Sequence, residues 1–112
     1  MKEFKDNHKT KKANEEYRRL FAGTIVAVQT LEEALAFIED LFTPNESIIN
    51  AQRVGLADQL IRGDSYKVIM RAAKEKGDTI STTTINRVNN TLNEGNGSLK
   101  LFIARAKGML DL

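Results

Sequence analysis

Cysteine is absent from this chain and histidine occurs once, at His8. Without a thiol there is no thiolate chemistry, no disulfide framework and no thiol-rich zinc site. With the single imidazole close to the N-terminus, a Cys–His or Ser–His–Asp nucleophile is not expected either. The chain has no carboxylate pair on an apolar face, no Gly-rich phosphate loop and no metal-ligand spacing, so neither an enzyme nor a metal or cofactor protein is expected. No apolar run approaches the ~18 residues of a membrane span, and the Lys-rich N-terminus does not resemble a signal peptide. A cytoplasmic protein without a membrane partner is the expectation. Proline occurs once, at Pro44. One further absence is local: no acidic residue lies between Asp78 and Glu94.

The chain has 112 residues and a formal net charge of +2. That length fits one domain, small enough for a partner chain to supply part of its core, so a homodimer is open. A net charge this small carries no case for a polyanion partner, which must rest on where the charges sit. The first stretch, "MKEFKDNHKTKK", is rich in lysine and poor in apolar residues, and residues 1–12 read as a flexible basic arm. Residues 13–112 read as a single all-helical domain.

Apolar spacing and capping signals divide that domain into six helices with no convincing strand. From Asn14, Tyr17, Leu20, Phe21, Thr24 and Val28 share one helical side. Thr30 and Glu33 form a capping-box pair ahead of a stripe of Leu31, Ala34, Leu35, Ile38 and Phe42. "TPNE" at 43–46 is the clearest boundary, with Thr43 as cap and Pro44 at the first helical position, where its missing N–H costs nothing. The long helix that follows has Ile49, Val54, Ala57, Leu60 and Ile61 as its inward set and stops at Gly63. Ser65 caps "YKVIMRAAKEK", which ends at Gly77, and after a helix over 81–93 a Gly-Asn-Gly break precedes a last helix from Ser98. Leu99, Phe102, Ile103, Ala106 and Leu110 are its inward set.

The segment "STTTINRVNNTL", 81–92, has helical spacing, with Ile85, Val88 and Leu92 on one face, yet most other positions are Thr and Asn. These are poor residues for a helix interior, and a merely solvated face usually carries Glu, Lys or Arg. A short helix, a break and then a helix presenting Thr82, Thr83, Asn86, Asn89 and Asn90 outward is the outline of a helix-turn-helix, at about 65–93. Amides can pair with adenine edges and a threonine methyl with the thymine methyl. Lys67, Arg71, Lys74 and Lys76 on the preceding helix supply cations for phosphates, and no carboxylate on the Thr/Asn face repels them. The bland reading is an ordinary surface helix held by tertiary packing.

"LFTPNE", then Arg53 in "AQRVGLADQLIRGDSY", then "STTTINRV" carry a resemblance to the Trp repressor family, extending from about Leu31 to Ala106. The resemblance implies an intertwined homodimer of six-helix chains that share a core and read double-stranded DNA with two helix-turn-helix heads. Ser81, Thr82, Thr83 and Asn86 fall on its base- and phosphate-contacting positions. With the residues read above, the DNA-binding set is then Lys67, Arg71, Lys74, Ser81, Thr82, Thr83, Asn86 and Asn90. The family's corepressor site holds a tryptophan between two arginines, which match Arg53 and Arg87. Thr84 and Thr91 match hydroxyl residues beside it, and Phe42 and Thr43 fall in the segment given by the other subunit. The chain departs from the family twice. Val88 stands where the tryptophan-binding members have glycine, so a small-molecule effector is open but tryptophan is not expected. Around "KEKGD" there are also several extra residues, which lengthen the turn before the second reading helix.

A different class of function is kept beside this one: a helical dimeric protein-interaction module without DNA binding. Arg53 also has a purely structural reading, as a salt-bridge partner of Asp58 or Glu46 on its own helix.

Overall fold

The computed structural model describes residues 8–112, with side chains from Thr10 onward. Six helices follow one another: α1 (His8–Ala27), α2 (Leu31–Leu41), α3 (Pro44–Ile61), α4 (Tyr66–Glu75), α5 (Thr82–Glu94) and α6 (Ser98–Met109). No strand occurs among the described residues. The fold is all-α, as the spacing predicts. Helix α1 starts earlier than its apolar pattern does. It takes in Lys9, Lys11 and Lys12, because lysine is a good helix former and needs no apolar neighbour to stay helical. Of the expected basic arm, residues 1–7 lie outside the described residues.

The chain divides into two compact units, the first ending at Thr43 and the second Pro44–Leu112, so the break falls within "TPNE". In the first unit Thr30 is the N-cap of α2: the Glu33 N–H donates to its hydroxyl at 3.1 Å. The Glu33 carboxylate in turn accepts from the Gln29 N–H at 2.9 Å, one residue ahead of the position a capping box would use. Phe21 and Phe37 meet at a ring-centroid distance of 6.5 Å. With Ile25, Val28, Ala34, Ile38 and Phe42 they line an apolar concavity of about 290 Å³. Phe42 therefore packs in the hairpin of its own unit. Thr43 is exposed beside it, and no described residue of this unit is fully buried.

The core lies in the second unit, where Leu56 and Ala57 of α3, Ile69 of α4, Ile85 and Val88 of α5 and Ile103 of α6 are buried together. The inward face of α3 is narrower than its apolar content suggests. Ile49, Val54 and Ile61 are exposed, as are Phe102 and Leu110 of α6, which the spacing places inward. Of these, Phe102 has the Arg105 guanidinium over its ring, 5.1 Å from the centroid.

Glycine ends two helices by the same device. After α3, Gly63 (φ +90°) donates to the Leu60 carbonyl and Asp64 to Gln59. After α4, Gly77 (φ +79°) donates to Lys74 and Asp78 to Ala73, at 3.0 and 2.9 Å. This bond pattern is a Schellman motif, and its left-handed position suits glycine, which has no Cβ to clash.

Candidate nucleic-acid interface and adjoining concavity

Helix α5 begins at Ser81, whose hydroxyl accepts from the Thr84 N–H at 3.2 Å and lies 3.0 Å from the Thr84 hydroxyl. The cap fixes the rotation of the helix at its first turn. Ile85 and Val88, 0% and 6% exposed, then lock one face into the core. Consequently Thr82, Thr83, Asn86 and Asn90 stand on the exposed side with no acidic residue among them, and the exposed Glu94, one turn beyond Asn90, ends the helix on that side. Asn89, which the spacing also places outward, is half-buried.

Helix α4 precedes α5 as the first helix of the pair. Ser65 caps it, accepting from the Val68 N–H at 3.2 Å. Ile69 and Ala73 are buried, which leaves Lys67, Arg71 and Lys74 exposed at i, i+4 and i+7, on one side of the helix. The lengthened connection, 76–81, is tied down at two points. Asp78 takes part in the Schellman motif through its N–H, and its carboxylate accepts from the Gln52 amide of α3 and from the Thr79 N–H. The acid at the edge of the Thr/Asn helix is thus turned toward the scaffold.

Two residues that sequence reading passed over shape this surface. Gln52 holds the connection, as above. Tyr66, at the first position of α4, packs its ring against the core and donates its hydroxyl to the Asn86 carbonyl oxygen at 2.8 Å. A half-buried tyrosine needs a partner for its O–H, and here that partner lies 20 positions along the chain, where no local sequence pattern marks it.

Four of the six effector positions also come together. Arg53, Thr84, Arg87 and Thr91 line a concavity of about 390 Å³ between α3 and α5, with Ile49, Gln52 and Val88 completing its wall. The Thr91 hydroxyl donates to the Arg87 carbonyl at 3.0 Å, back along its own helix. Val88 belongs both to this wall and to the core. Of the two partners considered for an Arg53 ion pair, Asp58 is taken by others: it binds Lys107 of α6 at 2.9 Å and also lies 3.9 Å from Arg62. Arg62 sits at i+4, one turn along, whereas Arg53 is at i−5 and faces elsewhere.

Among the described residues, no helix is long and apolar enough to cross a membrane, and no group of His, Cys, Asp and Glu could hold a metal ion.

The family described as Trp repressor protein matches residues 5–107. "Uncharacterized protein YerC" of Bacillus subtilis (strain 168) is 36% identical over 85 residues, covering 76% of this chain and 77% of that protein. No solved structure matches the chain. The family match takes in all six helices, from the start of α1 into α6, and on it the chain belongs to the Trp repressor family.

Proposed function

We propose that the protein is a sequence-specific DNA-binding transcriptional regulator that works as a homodimer, with α4 and α5 as its helix-turn-helix. The observation that carries this is the exposed Thr/Asn face of α5, without a carboxylate until Glu94 at its last position and fixed in rotation by a cap and two buried anchors. Such a face serves no packing purpose in the chain and carries a helix-propensity cost, which reading base edges in a major groove would offset. Lys67, Arg71 and Lys74 act on phosphates, which position the head without reading sequence. Membership of the Trp repressor family supports the same reading.

Dimerisation is supported by apolar exposure. Tyr17, Leu20 and Val26 of α1 and Leu31 and Leu35 of α2 are each more than half exposed. Apolar surface on that scale in a small helical unit calls for a partner copy. The concavity between Arg53 and Arg87 is the position for a small effector with an anionic group, and tryptophan is not the expected one, because Val88 replaces the glycine of the tryptophan-binding members. The test is selection from random duplex oligonucleotides in the presence of excess bulk DNA. Recovery of one defined site supports the reading.

The second reading, a helical dimeric protein-interaction module without DNA binding, draws on the same apolar exposure. It predicts no selected site and no salt-dependent binding of DNA.

A further inference from the structure

The Tyr66–Asn86 hydrogen bond changes what Asn86 can read. An asparagine that recognises adenine does so with both ends of its amide: the oxygen accepts from the base N6 amino group while the NH2 donates to N7. Here the oxygen is already engaged, at 2.8 Å, by the Tyr66 hydroxyl. Both ends of that bond are held. Tyr66 follows directly on the Ser65 cap of α4 and its ring is packed against the core. Asn86 follows directly on Ile85, the fully buried anchor of α5. A tyrosine ring has few rotamers, and with its body immobilised the hydroxyl is a fixed point. The amide oxygen is therefore turned toward Tyr66, and the two N–H donors point away from it.

We infer that Tyr66 is a positioning residue for sequence recognition: it presets the Asn86 amide as a donor, so that Asn86 selects a guanine, whose major-groove edge offers two acceptors, rather than adenine. This rests on the DNA-reading role proposed above for α5. The physical basis is the donor and acceptor pattern of the groove. Guanine presents N7 and O6, both acceptors, whereas adenine places its N6 amino donor where a donor-only amide would meet it head-on. Cytosine presents a donor as well and is rejected on the same ground.

The experiment is duplex selection and competition binding with the full-length protein, its Tyr66→Phe variant, its Asn86→Ala variant and the double variant. Tyr66→Phe keeps the packed ring and removes only the hydroxyl, and thermal melting beside the binding assay registers any loss of fold. The wild type should prefer guanine at one base pair of its site. In Tyr66→Phe the freed amide can pair at both ends, and preference at that base pair should move toward adenine by about tenfold, the size of one base-edge contact. Asn86→Ala should abolish preference there, and adding Tyr66→Phe to it should change nothing further. A wild type that prefers adenine at that position, or a preference that Tyr66→Phe leaves unaltered, would overturn the inference while leaving α5 as the reader. So would an Asn86→Ala variant with unchanged specificity. A wild type that selects no site at all would remove the DNA-reading role and this inference with it.

Discussion

Gln52 of α3 donates its side-chain amide to the Asp78 carboxylate, joining the central helix to the connection between α4 and α5. The extra residues of this connection would otherwise leave α4 and α5 loosely coupled. Removing the tether by Asp78→Ala spares the Schellman bond, which is made by the backbone, and takes away the acceptor for Gln52 and Thr79. Since a hydrogen bond to a charged, partly buried acceptor is worth about 1.5–3 kcal/mol, we expect a stability loss near the lower end of that range in urea denaturation. Gln52→Ala should cost less, because Asp78 keeps the Thr79 N–H.

Gly95 is required for a steric reason and not for its backbone freedom. It closes α5 with φ −76°, a value any residue adopts, and donates its N–H to the Thr91 carbonyl at 2.9 Å. A Cβ at this position would lie 2.5 Å from that same carbonyl oxygen. Gly95→Ala must displace backbone at the C-terminal end of α5, and overpacking of this kind costs about 1–3 kcal/mol. Thermal unfolding should show a midpoint several degrees below that of the wild type.

How much of this was legible in sequence differs from element to element. Helix boundaries at Thr30, Pro44, Ser65, Gly63 and Gly77 follow from local chemistry, since caps and left-handed turns depend on residues only a few positions apart. The helical course of α1 through residues 8–12 was not legible, because a lysine-rich stretch has no apolar period to detect. Arg53 and Arg87 became candidates through family resemblance alone. Their convergence on one concavity, like the Tyr66–Asn86 and Gln52–Asp78 bonds, joins positions far apart in the chain, which no local pattern encodes.

Val88 faces two demands at once, and the structure sharpens what its replacement would do. Replacing it with glycine enlarges the concavity but also removes a side chain that is 6% exposed in the core. The cavity and the glycine penalty in a helix interior together predict a loss of about 3 kcal/mol. In calorimetric titration the wild type should show no micromolar binding of tryptophan. Any binding gained by Val88→Gly has to be measured at a temperature where that variant is still folded.

Sedimentation at micromolar concentration should give twice the monomer mass. The reason is that the first unit has no fully buried residue among those described and exposes Leu20, Ile25, Leu31 and Leu35. Leu20→Glu or Leu35→Glu should weaken the dimer, and unfolding should then depend more steeply on protein concentration. A well-folded monomer at that concentration would contradict the dimer.

Binding to any DNA should weaken steeply with salt. Each phosphate neutralised by Lys67, Arg71 or Lys74 adds roughly 0.9 to the slope of log affinity against log salt. Lys74→Ala should lower that slope by about 1 and weaken binding to all sequences alike. A flat plot would favour the protein-interaction reading.

The central claim is that the exposed face of α5 reads bases. It is tested most directly by the ratio of affinities for the selected duplex and a scrambled duplex of the same composition, in the wild type and in the Thr83→Ala/Asn90→Ala variant. Alanine is the better helix former, so the variant should be as stable as the wild type or slightly more so. We predict that the ratio falls by tenfold or more, since a base-edge contact is worth about 1–3 kcal/mol of discrimination, while affinity for scrambled DNA stays the same. An unchanged ratio in a variant that folds and binds would contradict the account.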